Sequence, residues 1–424
     1  MGHLTLLRRR PAFRLLFLAT VGSGLGTMLA VVALTIDVWD RTHSGTWVGA
    51  LLIVDFLPAI VIGLLLGPIL DRYSRRGLMV GSDLTRAAIF IALVFAPNVY
   101  WIVALAAVAG FATGFFRPAV YAGLPNLVEE SELGRANSLL LATENATWAI
   151  GPLLSGLLVA ASSPEVAYWV NAATFVFSAL LVARIAASQL QALTVPSRGH
   201  WRDLGDGFSL VRRSRPLLAV LVAWTIAMLG NAAVNVAEIV LAKDVFGGGD
   251  FGFGLLVAAS GVGLVAGAAA AAPALERQKL NAVYAGGFAL MGIGVALAAA
   301  SPSLWVALVF VFAYGVGNGG ANVCNPLLVQ IGAPDQLRGR AFTLIMSVNY
   351  AVLGLAMAVA GPLTNAIGAR WVWGLGAISY AAAFFAAAAL APTTRQPAPD
   401  ERETAELVLE EPVVVVHGGP LQGQ

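Results

Sequence analysis

The chain is written in long apolar runs broken by short polar punctuation. Runs of about 20 apolar residues are long enough to cross a hydrocarbon core as helices. In hydrocarbon every backbone polar group must be satisfied within its own segment, so such runs are read as helices rather than open strands. Twelve are predicted, at about 14–37, 46–69, 78–96, 99–121, 136–160, 166–188, 216–242, 252–275, 280–299, 304–330, 341–364 and 371–391. The junctions at 97–98 and 300–303 are so short that the helices they join must be antiparallel neighbours. The first run has no clear small-residue cleavage site and is too long for a signal peptide, so it counts as a span.

The pattern is doubled at an offset of about 205 residues. Gly67-Pro68-Ile69-Leu70-Asp71-Arg72 aligns with Ala272-Pro273-Ala274-Leu275-Glu276-Arg277. Pro11 aligns with Pro216, each after arginines, and Gly134-Arg135-Ala136 aligns with Gly339-Arg340-Ala341. Gly151-Pro152-Leu153 meets Gly361-Pro362-Leu363 at an offset of about 210. A doubled, strongly apolar chain points to two membrane bundles facing each other across a central cavity. The expected units are an N-terminal bundle (1–188), a linker (189–215), a C-terminal bundle (216–391) and a tail (392–424).

Composition agrees: 58% of residues are apolar and 11% charged, against roughly a quarter charged in a soluble domain. With the N-terminus inside, all of the 25 Lys and Arg except Arg41, Lys243 and Arg370 fall on the cytoplasmic side or at that end of a helix. That bias predicts a multi-pass inner-membrane protein with both termini in the cytoplasm. Trp39, Trp47, Trp101, Trp169, Trp305, Trp371 and Trp373 fall near outer helix ends, where indoles favour the interface.

The linker carries His200-Trp201-Arg202-Asp203 and Arg212-Arg213-Ser214-Arg215, and is expected to lie on the inner leaflet as an amphipathic helix. Its arginines fit the topology bias better than a nucleic-acid footprint, so no nucleic-acid partner is expected. The tail is proline-rich, then acidic, a composition that disfavours a packed core. The single cysteine, Cys324, has no partner for an intramolecular disulfide, and the four histidines lie outside the spans. No metal cluster or phosphate loop is present around Lys243 or Lys279, so no cofactor is expected. Without an ATP site of that kind, transport would use an ion gradient or run downhill.

Gly67-x-x-x-Asp71-Arg72-x-x-Arg75-Arg76, between the second and third runs, resembles the signature loop of the major facilitator superfamily. Ser74 stands where that family usually has glycine. Gly151-Pro152-Leu153-Leu154-Ser155-Gly156 looks like the family's antiporter motif, with Ser155 replacing a glycine. Phe116-Arg117-Pro118-Ala119, Leu124-Pro125-Asn126-Leu127-Val128, Gly134-Arg135-Ala136-Asn137 and Ser82-Asp83-Leu84-Thr85-Arg86-Ala87 are similar to the branch of macrolide, tetracycline and siderophore exporters. The resemblance covers about residues 8–392. It implies an all-α protein of twelve transmembrane helices in two pseudo-symmetric six-helix bundles, working by alternating access. It implies no substrate.

The resemblance assigns Gly67, Asp71, Arg72, Arg75, Arg76, Asp83 and Arg86 to a gating motif. Gly67 allows close helix approach. Asp71 suits a helix N-terminus, and the arginines suit acidic or carbonyl partners. Such contacts either close the inner side of the outward-facing state or only fix topology. Gly151 and Pro152 act either as a hinge or as tight packing.

A mid-bilayer charge costs about 2.5–3.5 kcal/mol on insertion scales, so each needs a reason. Asp55 lies about 9 residues into the second run, roughly 14 Å deep at 1.5 Å per residue. Glu144 lies about 8 residues into the fifth, with Asn145 beside it and Trp148 one turn on. Asp55, Glu144 and Glu238 are candidates for proton coupling. A carboxylate in a wet cavity can instead bind a cationic substrate, and Glu144 can form a structural pair with Arg117. Glu238 and Asp37 lie near outer ends, where simple contact with water is the alternative.

Trp224, Asn231, Asn235 and Glu238 share one face of the seventh run. Tyr314, Asn318, Asn322 and Asn325 do so on the tenth, and Thr20, Ser23 and Thr27 on the first. In the family, helices one, four, seven and ten line the cavity. These stripes, with Arg117 and Trp148, are therefore cavity-lining candidates; the alternative is hydrogen bonding between helices. Gly22-x-x-x-Gly26, Gly110-x-x-x-Gly114 and Gly263-x-x-x-Gly267 suit close packing.

The expected function is proton-coupled export of amphipathic organic compounds by a protein acting as a monomer. A dedicated exporter of one siderophore or other metabolite shares the scaffold, and a symport importer is the further alternative. A receptor or scaffold would tolerate substitution at Asp55 and Glu144. An enzyme is not expected: no nucleophile–base constellation stands out.

Overall fold

The computed structural model describes residues 3–65, 73–190, 210–277 and 279–392. The long helices are α1 (Pro11–Thr42), α2 (Gly45–Leu65), α3 (Arg75–Val94), α4 (Val99–Gly123), α5 (Glu130–Ala161) and α6 (Pro164–Ala183). They continue as α7 (Arg215–Val240), α8 (Gly249–Glu276), α9 (Leu280–Ala300), α10 (Leu304–Gly332), α11 (Asp335–Ile367) and α12 (Ala369–Leu390). Among the described residues, ten helices are long and apolar enough to cross a membrane. α2 and α5 fall outside that set: the shorter apolar stretch Gly45–Asp55 belongs to α2, and α5 is interrupted by Glu144, Asn145 and Trp148. Together with family membership, reported below, these helices make the chain an integral membrane protein. Most of the linker (191–209), the tail from 393, and Gly67, Asp71 and Arg72 of the signature loop lie outside the described residues.

Local chemistry sets the helix ends. Proline occupies a first-turn position of α1, α6 and α7, where no backbone donor is lost. Ser74 caps α3, its Oγ accepting from Gly77 N at 3.0 Å. The departure from the family pattern is thus a helix start. Asn98 caps α4, accepting from Trp101 N at 3.3 Å. Glu129 and Glu132 form a reciprocal cap on α5. Burial pushes the Glu132 carboxyl up, but backbone and Arg10 hydrogen bonds outweigh it and leave its pKa below 4.5. α1 ends on His43 in the left-handed region (φ 45°), its N–H bonded to Trp39 O at 2.7 Å.

Packing repeats the sequence doubling. α1 packs on α5 and α6, α2 on α4, and α3 on α4 and α6. The same pairs recur six helices later: α7 on α11 and α12, α8 on α10, and α9 on α10 and α12. The expected neighbours α3/α4 and α9/α10 do lie side by side. Two large contacts join the early helices to the late ones, α5 with α8 and α2 with α11. Exchanging the two repeats turns one of these contacts into the other.

Those joining contacts tighten at one end, here called the far end. It carries the α1–α2 turn, the turn before α8 and the α11–α12 turn. A methyl on Gly156 would sit 2.8 Å from Gly254 Cα, and one on Gly45 would sit 2.9 Å from Gly361 O. Asn365 accepts from Gly45 N at 2.8 Å and donates to Thr46 Oγ1 at 3.1 Å and Ser44 Oγ at 3.2 Å. Lys243 donates to Asp40 of α1 and to Asp250 of α8. Burial pushes the Lys243 ammonium down, but hydrogen bonds from Asp250 and Asp40 outweigh it and leave its pKa above 10.5.

The three basic residues that break the charge bias all have partners. Arg41 Nε donates to Asp37 Oδ1 at 2.7 Å and Arg41 Nη1 to Ala96 O at 3.1 Å. Arg370 donates to Ala299 O and lies over Phe246. Asp37 is not simply wet: it is buried and also accepts from Tyr168 OH at 2.8 Å. Trp39 and Trp373 differ from the interface expectation as well. Both are buried, and Trp373 Nε1 donates to Val234 O at 3.2 Å. Trp101, Trp169, Trp305 and Trp371 are exposed, as interface residues are.

Candidate functional site

Asp55 sits in the described part of α2 and faces a cavity of about 30 Å³ between the early helices. That is room for one or two waters. The cavity wall includes Thr27, Thr35, Thr113, Phe90, Phe175 and Arg86. The Asp55 carboxyl has no hydrogen bond or ion pair among the described residues, although the Arg86 side chain lines the same space. Pro58 has no N–H to give the Val54 carbonyl. That carbonyl turns to Gly110 of α4, where a methyl would sit 2.8 Å away.

Asp83 and Arg86 form a buried ion pair, with side chains 0% and 2% exposed. Arg86 Nη2 donates to Ser23 Oγ at 2.8 Å, Arg86 Nη1 to Thr27 Oγ1 at 3.3 Å, and Ser23 Oγ to Asp83 Oδ1 at 3.2 Å. The guanidinium lies 4.1 Å from the Phe175 ring centroid. Asp83 Oδ2 and Arg86 Nε have no hydrogen-bond partner among the described residues. The polar stripe of α1 therefore faces α3: Ser23 is buried in this nest and Thr20 bonds its own helix at Leu16 O. Of the three, Thr27 lines the cavity beside Asp55.

The signature-loop arginines that are described hold carbonyls at the ends of nearby helices. Arg76 donates to Ala183 O at the end of α6, and Arg75 Nη1 to Leu190 O at 3.0 Å. A cation at a helix C-terminus is favourable by charge–dipole attraction.

Arg117 and Glu144 meet in a two-point pair, Nε to Oε1 at 3.2 Å and Nη2 to Oε2 at 2.9 Å. Tyr121 OH, which the sequence reading did not single out, donates to the same Oε1 at 3.0 Å. It lies one turn after Arg117, and that spacing was the available signal. The Arg117 side chain is 67% exposed and Glu144 22%. A guanidinium this open, in the last two turns of α4, needs water or polar headgroups around it. An ion pair so exposed is worth about 0–1 kcal/mol. Trp148, half exposed, and Leu141 share the same face of α5 as Glu144. Pro152 leaves the Trp148 carbonyl without its helical donor. Gly261 of α8 meets that oxygen, and a methyl there would sit 2.5 Å from it. The Arg117–Glu144 pair therefore lies just below the point where α5 and α8 close. α5 runs unbroken through Gly151 and Pro152. Gly151 packs on Met28 of α1.

The late helices hold a second polar knot. Asn231 Oδ1 accepts from Tyr380 OH at 2.8 Å and Tyr314 OH at 2.9 Å. Tyr380, on α12, was missed by a search confined to the stripes of α7 and α10. Trp224 is buried against Phe288, at 5.5 Å between ring centroids. Glu238 is buried, not wet, and has no ion pair among the described residues. Asn235 and Asn322 are exposed, Asn318 is partly so, and Asn325 is buried with an unsatisfied Oδ1. Cys324 is buried in α10. No group of three metal-ligating side chains occurs among the described residues.

Known proteins share this architecture. The nucleoside transporter NupG superposes with a TM-score of 0.70 at 15% identity, over 89% of this chain and 98% of that one. A bacterial homologue of the human lysosomal transporter Spinster, in an inward-facing and unoccupied conformation, gives 0.71 at 11%, over 90% and 96%. At these identities the likeness concerns the fold alone. An uncharacterized MFS-type transporter, YfiS of Bacillus subtilis, is 26% identical over 86% of this chain and 89% of its own length. Macrolide efflux protein A of Streptococcus pyogenes is 22% identical, over 49% of this chain and 53% of its own. Enterobactin exporter EntS of Shigella boydii is 31% identical, over 54% of each. The chain spans about half the length of these last two relatives. The sequence model of the Major Facilitator Superfamily matches residues 16–357, and the chain belongs to that superfamily of membrane transporters.

Proposed function

We propose that the chain is a proton-coupled exporter of amphipathic organic compounds. In this reading α1–α12 are twelve spans in two six-helix bundles, residues 1–188 and 216–391, with both termini cytoplasmic. The far end is then the outer face, closed by α2–α11, α5–α8 and Lys243. The exposed face formed by Arg117, Glu144 and Trp148 then opens inward, the state that receives cargo from the cytoplasm. Export is supported by relatives named as macrolide efflux protein and enterobactin exporter. The kinship to EntS also favours the narrower version, a dedicated exporter of one metabolite.

The observation that carries proton coupling is the Asp55 carboxyl. It stands without a partner among the described residues, beside a cavity with room for water that reaches Arg86. An intramembrane carboxylate of that kind is a proton site by chemistry. One charge crossing 100 mV supplies about 2.3 kcal/mol, enough for a gradient of roughly 40- to 50-fold. Glu144 is the weaker coupling candidate, because Arg117 and Tyr121 already satisfy it. Glu238 stays in reserve as a second buried carboxyl. Asp55→Asn should abolish uphill efflux at unchanged protein level while downhill exchange persists. Normal uphill efflux in that variant removes the assignment.

A further inference from the structure

We propose that Arg117 anchors an acidic group of the transported molecule, with the Trp148 indole as the platform for its apolar or aromatic body. The proposal rests on the transport reading above and adds the charge class of the cargo. Among the described residues, the charges within the long helices are mostly shut away. Asp83 and Arg86 are buried on each other, Glu238 is buried, and Asp55 is half-buried against a small cavity. The Arg117–Glu144 pair is the open one, and its guanidinium is the outer partner, 67% exposed against 22%.

The two partners are not equally available. Glu144 Oε1 already accepts from Arg117 Nε and Tyr121 OH, and Oε2 accepts from Arg117 Nη2. A cationic ligand would have to strip the arginine from this carboxylate and then sit beside it. An acidic ligand needs only the Nη1 edge, which has no hydrogen bond among the described residues. Planar guanidinium edges match carboxylate geometry and give charge-assisted bonds. Leu141, Glu144 and Trp148 lie on one face of α5, so a molecule held at Arg117 has an apolar surface on one side and an indole on the other. The site sits at the floor of the α5–α8 closure, so cargo there is in contact with the helix pair that must part for release.

The test is equilibrium dialysis of the full chain in lipid nanodiscs, with no proton gradient, against three radiolabelled probes of one shape. These are 2-naphthoate (acidic), 2-naphthamide (neutral) and 2-naphthylmethylamine (cationic). The expected order is naphthoate at least tenfold tighter than naphthamide, and the amine weakest. Arg117→Gln should erase the naphthoate advantage and leave naphthamide unchanged. Glu144→Gln loosens the competitor and should tighten naphthoate several-fold. Trp148→Ala should weaken both by a similar factor. A preference for the amine that Glu144→Gln abolishes would overturn the proposal. So would equal binding of the three probes, or no measurable naphthoate binding. Because no gradient is used, a failure of proton coupling at Asp55 leaves this result untouched, and the reverse holds too.

Discussion

Asp83 and Arg86 are three residues apart on α3 and wholly enclosed by α1, α4 and α6, with Ser23 and Phe175 against them. Removing one partner of a buried pair leaves the other charge uncompensated, at about 3–5 kcal/mol. Asp83→Ala and Arg86→Ala should each lower the thermal midpoint or the folded yield sharply. The double change Asp83→Leu with Arg86→Met should be milder than either single one, since apolar replacement of a whole pair is often neutral. Fluorescence-detected size exclusion after heating reads this; equal damage from double and single variants contradicts it. The i, i+3 spacing of the pair was legible in the sequence. Its partners on α1 were not, because a one-dimensional pattern does not say which face of a neighbour it meets. For the same reason Ser23 and Thr20 read as cavity lining, whereas burial against α3 and their own helix claims them.

At the scale of the element, the same device occurs twice. A proline frees a carbonyl, and a glycine on the next helix takes up the space: Pro152, Trp148 O and Gly261, then Pro58, Val54 O and Gly110. The first closes α5 on α8. Gly261→Val drives a branched side chain into that carbonyl and should hold the two helices apart. Transport should fall tenfold or more. Cross-linking of Ser44→Cys to Asn365→Cys, in a Cys324→Ser background, should fall with it. Gly81→Ala and Gly286→Ala meet no atom within 4 Å. They should keep activity and gain up to about 1 kcal/mol of helix stability. The long apolar helices and the repeated packing were legible because hydrophobic length is a local property. Which helix pairs join the repeats was not, since α5–α8 and α2–α11 depend on backbone approach between distant segments.

For the whole molecule, in the proposed transport cycle, the far end is one lock made of two glycine seams and the Lys243 cluster. Lys243 links α1 to α8 through Asp40 and Asp250. Its pKa is raised above 10.5, with burial opposed by the hydrogen bonds of both carboxylates. The lysine's contribution is therefore fully present below pH 10.5 and is lost only as pH climbs through the raised value. Locking should show no lysine titration between pH 6 and 9. Lys243→Gln should shift the population toward the far-open state, read as a longer Ser44–Asn365 spin-label distance. An unchanged distance distribution would remove Lys243 from the lock. This lock was invisible to a charge count, which registered Lys243 only as an exception to the bias.

The central claim is gradient-driven export. It is tested most directly by efflux of cationic, neutral and acidic fluorescent dyes from cells expressing the chain, with and without a protonophore. The account predicts efflux above the empty-vector control for at least one dye, abolished by the protonophore and by Asp55→Asn. With the protein confirmed in the membrane, no dye leaving above the control, or efflux that survives the protonophore, would contradict it.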